Sequence, residues 1–160
     1  MVVVDRSGSM GGDRMELAED AVTTLALSLE EVGVGVSVLG MLNNTGTLEN
    51  AFGRDIENDR GMLLSNATGG ATPLSKTLAL GRERMEQKAD SDNRFMIVVT
   101  DGKPDNGQQY REELDKCTFP VLGVYVDTSA DDSDLFHRQV KVSSGDIEEA
   151  VTRLARQAMM

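Results

Sequence analysis

The chain has 160 residues, 39% of them hydrophobic, a size and composition that suit one folded globular domain rather than a disordered segment. Its 27 acidic and 16 basic residues leave a net charge of −11, a field that repels phosphate backbones and anionic lipid heads and so argues against nucleic acid and membrane surfaces as partners. No apolar run approaches the roughly 20 residues of a membrane helix, which argues against membrane insertion as well.

Val2 to Val4 read as a short buried strand. From Asp13 to Val32, the residues Ala18, Val22, Leu25, Leu29 and Val32 recur every three or four positions, the seam of an amphipathic helix that Gly33 ends. Val34 to Gly40 reads as a second strand. Met41 to Gly61 is polar and irregular, with a weak edge strand near Thr47 to Phe52. Pro73 suits the first position of a helix whose face carries Leu74, Leu78, Gly81 and Met85. Arg94 to Thr100 holds the near-continuous apolar run of a central strand. A short helix around Gln108 to Lys116 follows, then strands at Pro120 to Val126 and Gln139 to Val142. Asp146 and Glu149 stand at capping-box spacing before a closing helix with the stripe Ile147, Val151, Leu154 and Ala158. Alternation of buried strands with amphipathic helices predicts an α/β fold: a doubly wound, mostly parallel central sheet flanked by helices on both faces.

No internal repeat or linker divides residues 1–160, so a single domain is expected. Only four residues precede Asp5, few for a strand that should be central, and the chain is expected to be a piece of a longer polypeptide. The opening residues show no signal peptide, which leans toward a cytoplasmic module. A fragment need not keep its leader, so an extracellular or particle-surface location stays open. Eleven arginines against five lysines, on so acidic a chain, fit adaptation to high salt as well as they fit an ordinary acidic protein.

With one cysteine, Cys117, and one histidine, His137, a Cys/His zinc site is implausible, so any metal must be held by oxygen. Three short segments offer such oxygen: Asp5-Arg6-Ser7-Gly8-Ser9-Met10, Gly69-Gly70-Ala71-Thr72-Pro73-Leu74 and Val98-Val99-Thr100-Asp101-Gly102. Each falls where a strand or loop runs into a helix, and in doubly wound folds the carboxyl ends of parallel strands share one crevice. Asp5, Ser7 and Ser9 alternate along a tight loop, so one bend aims three oxygens at a point. Gly69-Gly70 lets the second loop approach closely or move, and Thr72 adds a hydroxyl. Asp101 adds a second carboxylate. Small hard cations prefer such ligands, and two negative charges nearly balance Mg²⁺ or Mn²⁺ while leaving it electrophilic. Arg6 reads as a solvated residue of the same loop. Lys103, Asp105 and Asn106 flank the site, where a plain polar turn is the simpler reading.

These three segments, in this order, resemble the metal-ion-dependent adhesion site of von Willebrand factor A domains, and the resemblance runs along essentially the whole chain. It implies that Ser7, Ser9 and usually Thr72 bind the metal directly, and that Asp5 and Asp101 bind directly or through water. It also implies a protein partner that supplies a Glu or Asp carboxylate to an open coordination position. The stretch from Phe95 to Asp105 resembles the A domains that accompany AAA+ ATPases of the MoxR and chelatase type more than it resembles adhesins. An adaptor role is therefore expected, with an adhesion module as the alternative. A Mg²⁺-dependent phosphoryl-transfer enzyme is disfavoured: serines follow Asp5, no second acid follows at the end of that strand, and His137 lies far along the chain. No catalytic residue is expected.

Overall fold

The structure, a computed structural model, describes residues 1–71, 73–89, 92–102, 106–126, 135–143 and 146–159. Six strands, β1 (Val2–Asp5), β2 (Val38–Leu42), β3 (Thr45–Asn50), β4 (Met96–Thr100), β5 (Val121–Val126) and β6 (Arg138–Val142), form one sheet in the order β3-β2-β1-β4-β5-β6. Every neighbouring pair is parallel except β2 with β3. The helices are α1 (Asp13–Glu31), α2 (Arg60–Leu63), α3 (Leu74–Lys88), α4 (Gly107–Asp115) and α5 (Ile147–Met159), with 3-10 turns at Gly8–Met10 and Ile56–Asp59.

Period-two alternation assigns each strand residue to a face. Val2, Val4, Ile97, Val99, Leu122 and Val124 point to the side that α1 and α5 cover, packing against Ala18, Val22, Leu25, Leu29 and Leu154. Val3, Met96, Val98, Val121 and Tyr125 point to the other side, against Leu74, Leu78 and Met85 of α3 and Tyr110 and Leu114 of α4. The expected doubly wound α/β sheet is thus present, with helices on both faces. Of the stripe expected on the closing helix, Leu154 is buried, while the side chains of Ile147, Val151 and Ala158 lie outside the described residues.

Helix α1 ends as its sequence directs. Gly33 adopts φ 83°, its N–H bonds the Glu30 carbonyl, and the Val34 N–H reaches back to the Leu29 carbonyl. This six-to-one and five-to-two pair of bonds stops the helix, and the left-handed residue between them strongly favours glycine.

Two expectations need correction. The second strand spans Val38–Leu42 rather than residues 34–40, because its register is set by β1, with Val2 opposite Val38 and Asp5 opposite Met41. The stretch 41–61 is also more regular than expected. Asn43 and Asn44, at φ 52° and 63°, turn β2 back into β3, whose pairing begins at Thr45 rather than Thr47. Two consecutive left-handed residues make the twist that tight hairpins require, and asparagine tolerates it best after glycine.

Candidate metal site at the switch point of the sheet

Strand order reverses between β1 and β4, and the carboxyl ends of these two neighbours carry Asp5 and Asp101. A crevice outside the strand ends at such a reversal is where doubly wound folds place ligands. Asp5, fully buried, closes β1. Its Oδ1 accepts the Ser7 N–H at 2.8 Å, and its Oδ2 accepts the Thr100 hydroxyl at 2.7 Å, so the carboxylate bridges the two strands. The chain then bends through the Gly8–Met10 turn, which brings Ser7 Oγ to 3.1 Å from Ser9 Oγ. Ser9 Oγ in turn donates to Asp101 Oδ1 at 3.1 Å, across 92 residues of sequence. Four of the five expected ligands are therefore contiguous. Thr72, the fifth, lies outside the described residues, as do Lys103 and Asp105.

The second loop is fastened onto the first by backbone. Gly69 N–H donates to the Arg6 carbonyl at 2.8 Å and Gly8 N–H to the Gly70 carbonyl at 2.9 Å. On the hairpin side, Asn43 N–H donates to the Gly69 carbonyl, and Ala71 N–H to Asn44 Oδ1 at 2.7 Å. Gly70 sits at φ 81°, and a Cβ there would lie 2.9 Å from Asn43 Cα and from Asn44 N. Of the two uses expected of Gly69-Gly70, close approach is the one this geometry requires.

Arg6 is not solvated. Its side chain is 2% exposed, because it turns inward and spends all its donors beneath the loop. Nε and Nη2 clasp the two oxygens of Glu49 at 2.7 and 2.8 Å. Nη1 donates to Glu19 of α1 at 3.1 Å and to the Ala67 carbonyl at 3.2 Å, and Nη2 also reaches the Leu63 carbonyl at 3.1 Å. Burial opposes the guanidinium charge, but the hydrogen bonds and attraction of Glu49, joined by Glu19, outweigh it and raise the Arg6 pKa. Glu19 uses its carboxylate a second time, accepting the N–H of Asn66. One arginine thus ties β1, α1, β3 and the segment before Gly69 together. Gly40 makes room for it: a Cβ there would fall 1.8 Å from Glu49 Oε2.

Asp5 has no such partner. Among the described residues no basic side chain pairs with it, and its pKa is raised, by burial first and by the Asp101 charge as well, against the lowering effect of Thr100 and Ser7. Asp101 is paired: Arg14, in the first turn of α1, donates to its Oδ2 at 2.9 Å. No three His, Cys, Asp or Glu side chains cluster among the described residues, so a cation at this crevice has to use the serine hydroxyls as well as the carboxylates. That donor set, all oxygen with two acids, fits Mg²⁺ or Mn²⁺.

Arg14, Asn44, Glu19 and Glu49 are additions to the residues singled out from sequence, while Arg6 and Thr100, named there, take roles the sequence did not assign them. The Asn43-Asn44 pair is a turn signal in its own right, since asparagine tolerates the left-handed conformation. His137 and Cys117 stand apart from the crevice: His137 is exposed, with Nδ1 accepting the Val121 N–H, and Cys117 is half-buried after α4.

Residues 1–103 match the sequence model of the von Willebrand factor type A domain. The chain belongs to that family. No curated protein matches this A domain in sequence. Among solved structures, an aerotolerance-related membrane protein from Bacteroides fragilis superposes with a TM-score of 0.74 at 13% identity, over 99% of this chain and 96% of that one. BatB from Bacteroides thetaiotaomicron gives 0.73 at 14% identity, over 99% and 98%. The von Willebrand factor domain of a type V pili tip protein from Porphyromonas gingivalis gives 0.75 at 9% identity, over 98% and 93%. At these identities the likeness is one of fold.

Proposed function

We propose that this A domain is a metal-dependent protein-interaction module, in which Asp5, Ser7, Ser9, Thr72 and Asp101 hold one Mg²⁺ or Mn²⁺ and the ion accepts a Glu or Asp carboxylate from a partner. One observation carries the reading: Asp5 is a fully buried carboxylate with no basic partner among the described residues, and its neighbours on the crevice side are hydroxyls and a second acid. A buried charge without a counter-ion is costly, and a divalent cation supplies that counter-ion. The protein's own residues do the remaining work. Arg6 fixes the loop, Thr100 and the Ser7 N–H orient Asp5, and Ser9 stands exposed beside the buried Ser7. No residue of the site is assigned a catalytic role.

A ligand that binds only the folded state stabilises it by mass action, by about 2.7 kcal/mol at a hundredfold excess over its Kd. Thermal melts with Mg²⁺ and with chelator should therefore differ in the parent protein. Ser9→Ala combined with Asp101→Ala should abolish the difference; a full metal shift in the double variant places the ion elsewhere. For the partner, the resemblance of the Phe95 to Asp105 stretch favours a AAA+ ring ATPase of the MoxR or chelatase type, or its client, with this domain as adaptor. Affinity capture from the native source in Mg²⁺, eluted by chelator, tests this. Recovery of such an ATPase or its client supports the adaptor, whereas recovery only of surface or particle components replaces it with an adhesion module.

A further inference from the structure

Arg14 holds a position that the metal reading leaves unexplained. It lies in the first turn of α1, where the helix dipole disfavours a cation, yet its Nη1 donates to Asp101 Oδ2 at 2.9 Å and to the Ser9 carbonyl at 3.5 Å. Its side chain is 39% exposed, while that of Asp101 is 4% exposed, so the guanidinium covers the acid and still faces solvent. We propose that Arg14 is the specificity-determining residue of the site: it lowers affinity for the divalent ion and raises the affinity of the bound ion for an anionic partner. The inference rests on the metal reading above.

Charge is what separates the two effects. Asp5 and Asp101 together balance a 2+ ion, so the ion stays electrophilic but has no net charge behind its attraction for an incoming carboxylate. With the guanidinium on Asp101, the acids and Arg14 sum to −1, so the loaded site keeps a net charge of +1. A chain carrying −11 repels acidic partners at long range, and a locally positive mouth is what lets one dock. The same guanidinium repels the ion itself, since both are cations that would share the Asp101 carboxylate, which is 4% exposed.

The test is a Mn²⁺ titration of the full chain, followed by free-ion electron paramagnetic resonance, with acetate binding to the loaded protein read from water-proton relaxation. Arg14→Gln should bind Mn²⁺ about tenfold more tightly than the parent, and acetate more weakly. Arg14→Lys, which keeps the charge, should behave like the parent, and Asp101→Ala should lose the ion. Equal or weaker Mn²⁺ binding in Arg14→Gln would overturn the inference, because Arg14 would then only orient Asp101. An unchanged acetate midpoint overturns it too. Undiminished Mn²⁺ binding in Asp101→Ala removes the metal reading itself, and this inference with it, a result distinct from the other two.

Discussion

At the scale of single residues, the loop after β1 alternates two solutions to burying charge. Arg6 is neutralised by protein: it forms a two-point clasp with Glu49 and a further bond to Glu19, all three side chains at most 3% exposed. Removing one member of such a group leaves the others buried and unpaired, which costs about 3–5 kcal/mol. Lysine cannot reproduce the planar fork, so Arg6→Lys should destabilise nearly as much as Arg6→Ala, a loss that urea melts would register as a lower midpoint. Asp5 is the opposite case. Its folded pKa is raised, so the folded state holds a proton more firmly than the unfolded chain, and stability is lost as pH rises from the ordinary aspartate value of 3.8 through the folded value. In chelator at neutral pH, Asp5→Asn should melt above the parent, and the gap should close as the pH falls toward about 4. Saturating Mg²⁺ should narrow or reverse it, because only the parent gains from the ion. A variant that melts lower throughout would show that the hydrogen bonds of Asp5 outweigh its burial.

At the scale of elements, the crevice is held by the β2–β3 hairpin, which lies far from it in sequence. Gly40 and Asn44 do different jobs there, and two substitutions separate them. Gly40→Ala drives a methyl into Glu49 and toward Arg6, so overpacking of about 1–3 kcal/mol should appear as lost stability, together with weaker Mn²⁺ binding. Asn44→Gly keeps the left-handed turn but deletes the bond from the Ala71 N–H. Its melting temperature should stay within a few degrees of the parent, a range of about 1 kcal/mol for a chain of this size. Mn²⁺ affinity should nevertheless fall, since the loop leading to Thr72 loses one of its ties. Equal affinity in Asn44→Gly and parent would mean that the Gly69 and Gly70 backbone bonds suffice.

For the whole molecule, charge sets the conditions under which the fold is most stable. Ion pairs such as Arg54–Asp59 and Arg60–Glu57 are exposed, and solvent screens pairs of that kind until they contribute little. The excess of 27 acids over 16 bases outweighs them, and its effect is repulsive. Salt shortens the Debye length from about 10 Å at 0.1 M to about 3 Å at 1 M, so the melting temperature should rise across that range of KCl. A flat or falling curve would show that the screened pairs matter as much as the repulsion, and would leave the high-salt reading of the composition without support.

Much of this protein was legible in its sequence because the relevant physics is local. Short apolar runs marked β1, β4 and β5 as buried strands, Gly33 marked the end of α1, and Asp5, Ser7 and Ser9 are close enough in the chain to share one bend. What lay beyond reach depended on contacts across long separations. Whether Arg6 faces solvent or core is decided by Glu19 and Glu49, 13 and 43 residues away, and by the absent side chain of Gly40. That Arg14 belongs to the site is decided by Asp101, 87 residues on. Even the register of β2 followed from β1 rather than from its own apolar run. Local sequence determines which element can form and which oxygens are on offer. Only the packed sheet decides which charges meet, because a charge is buried or solvated according to neighbours that folding alone brings within reach.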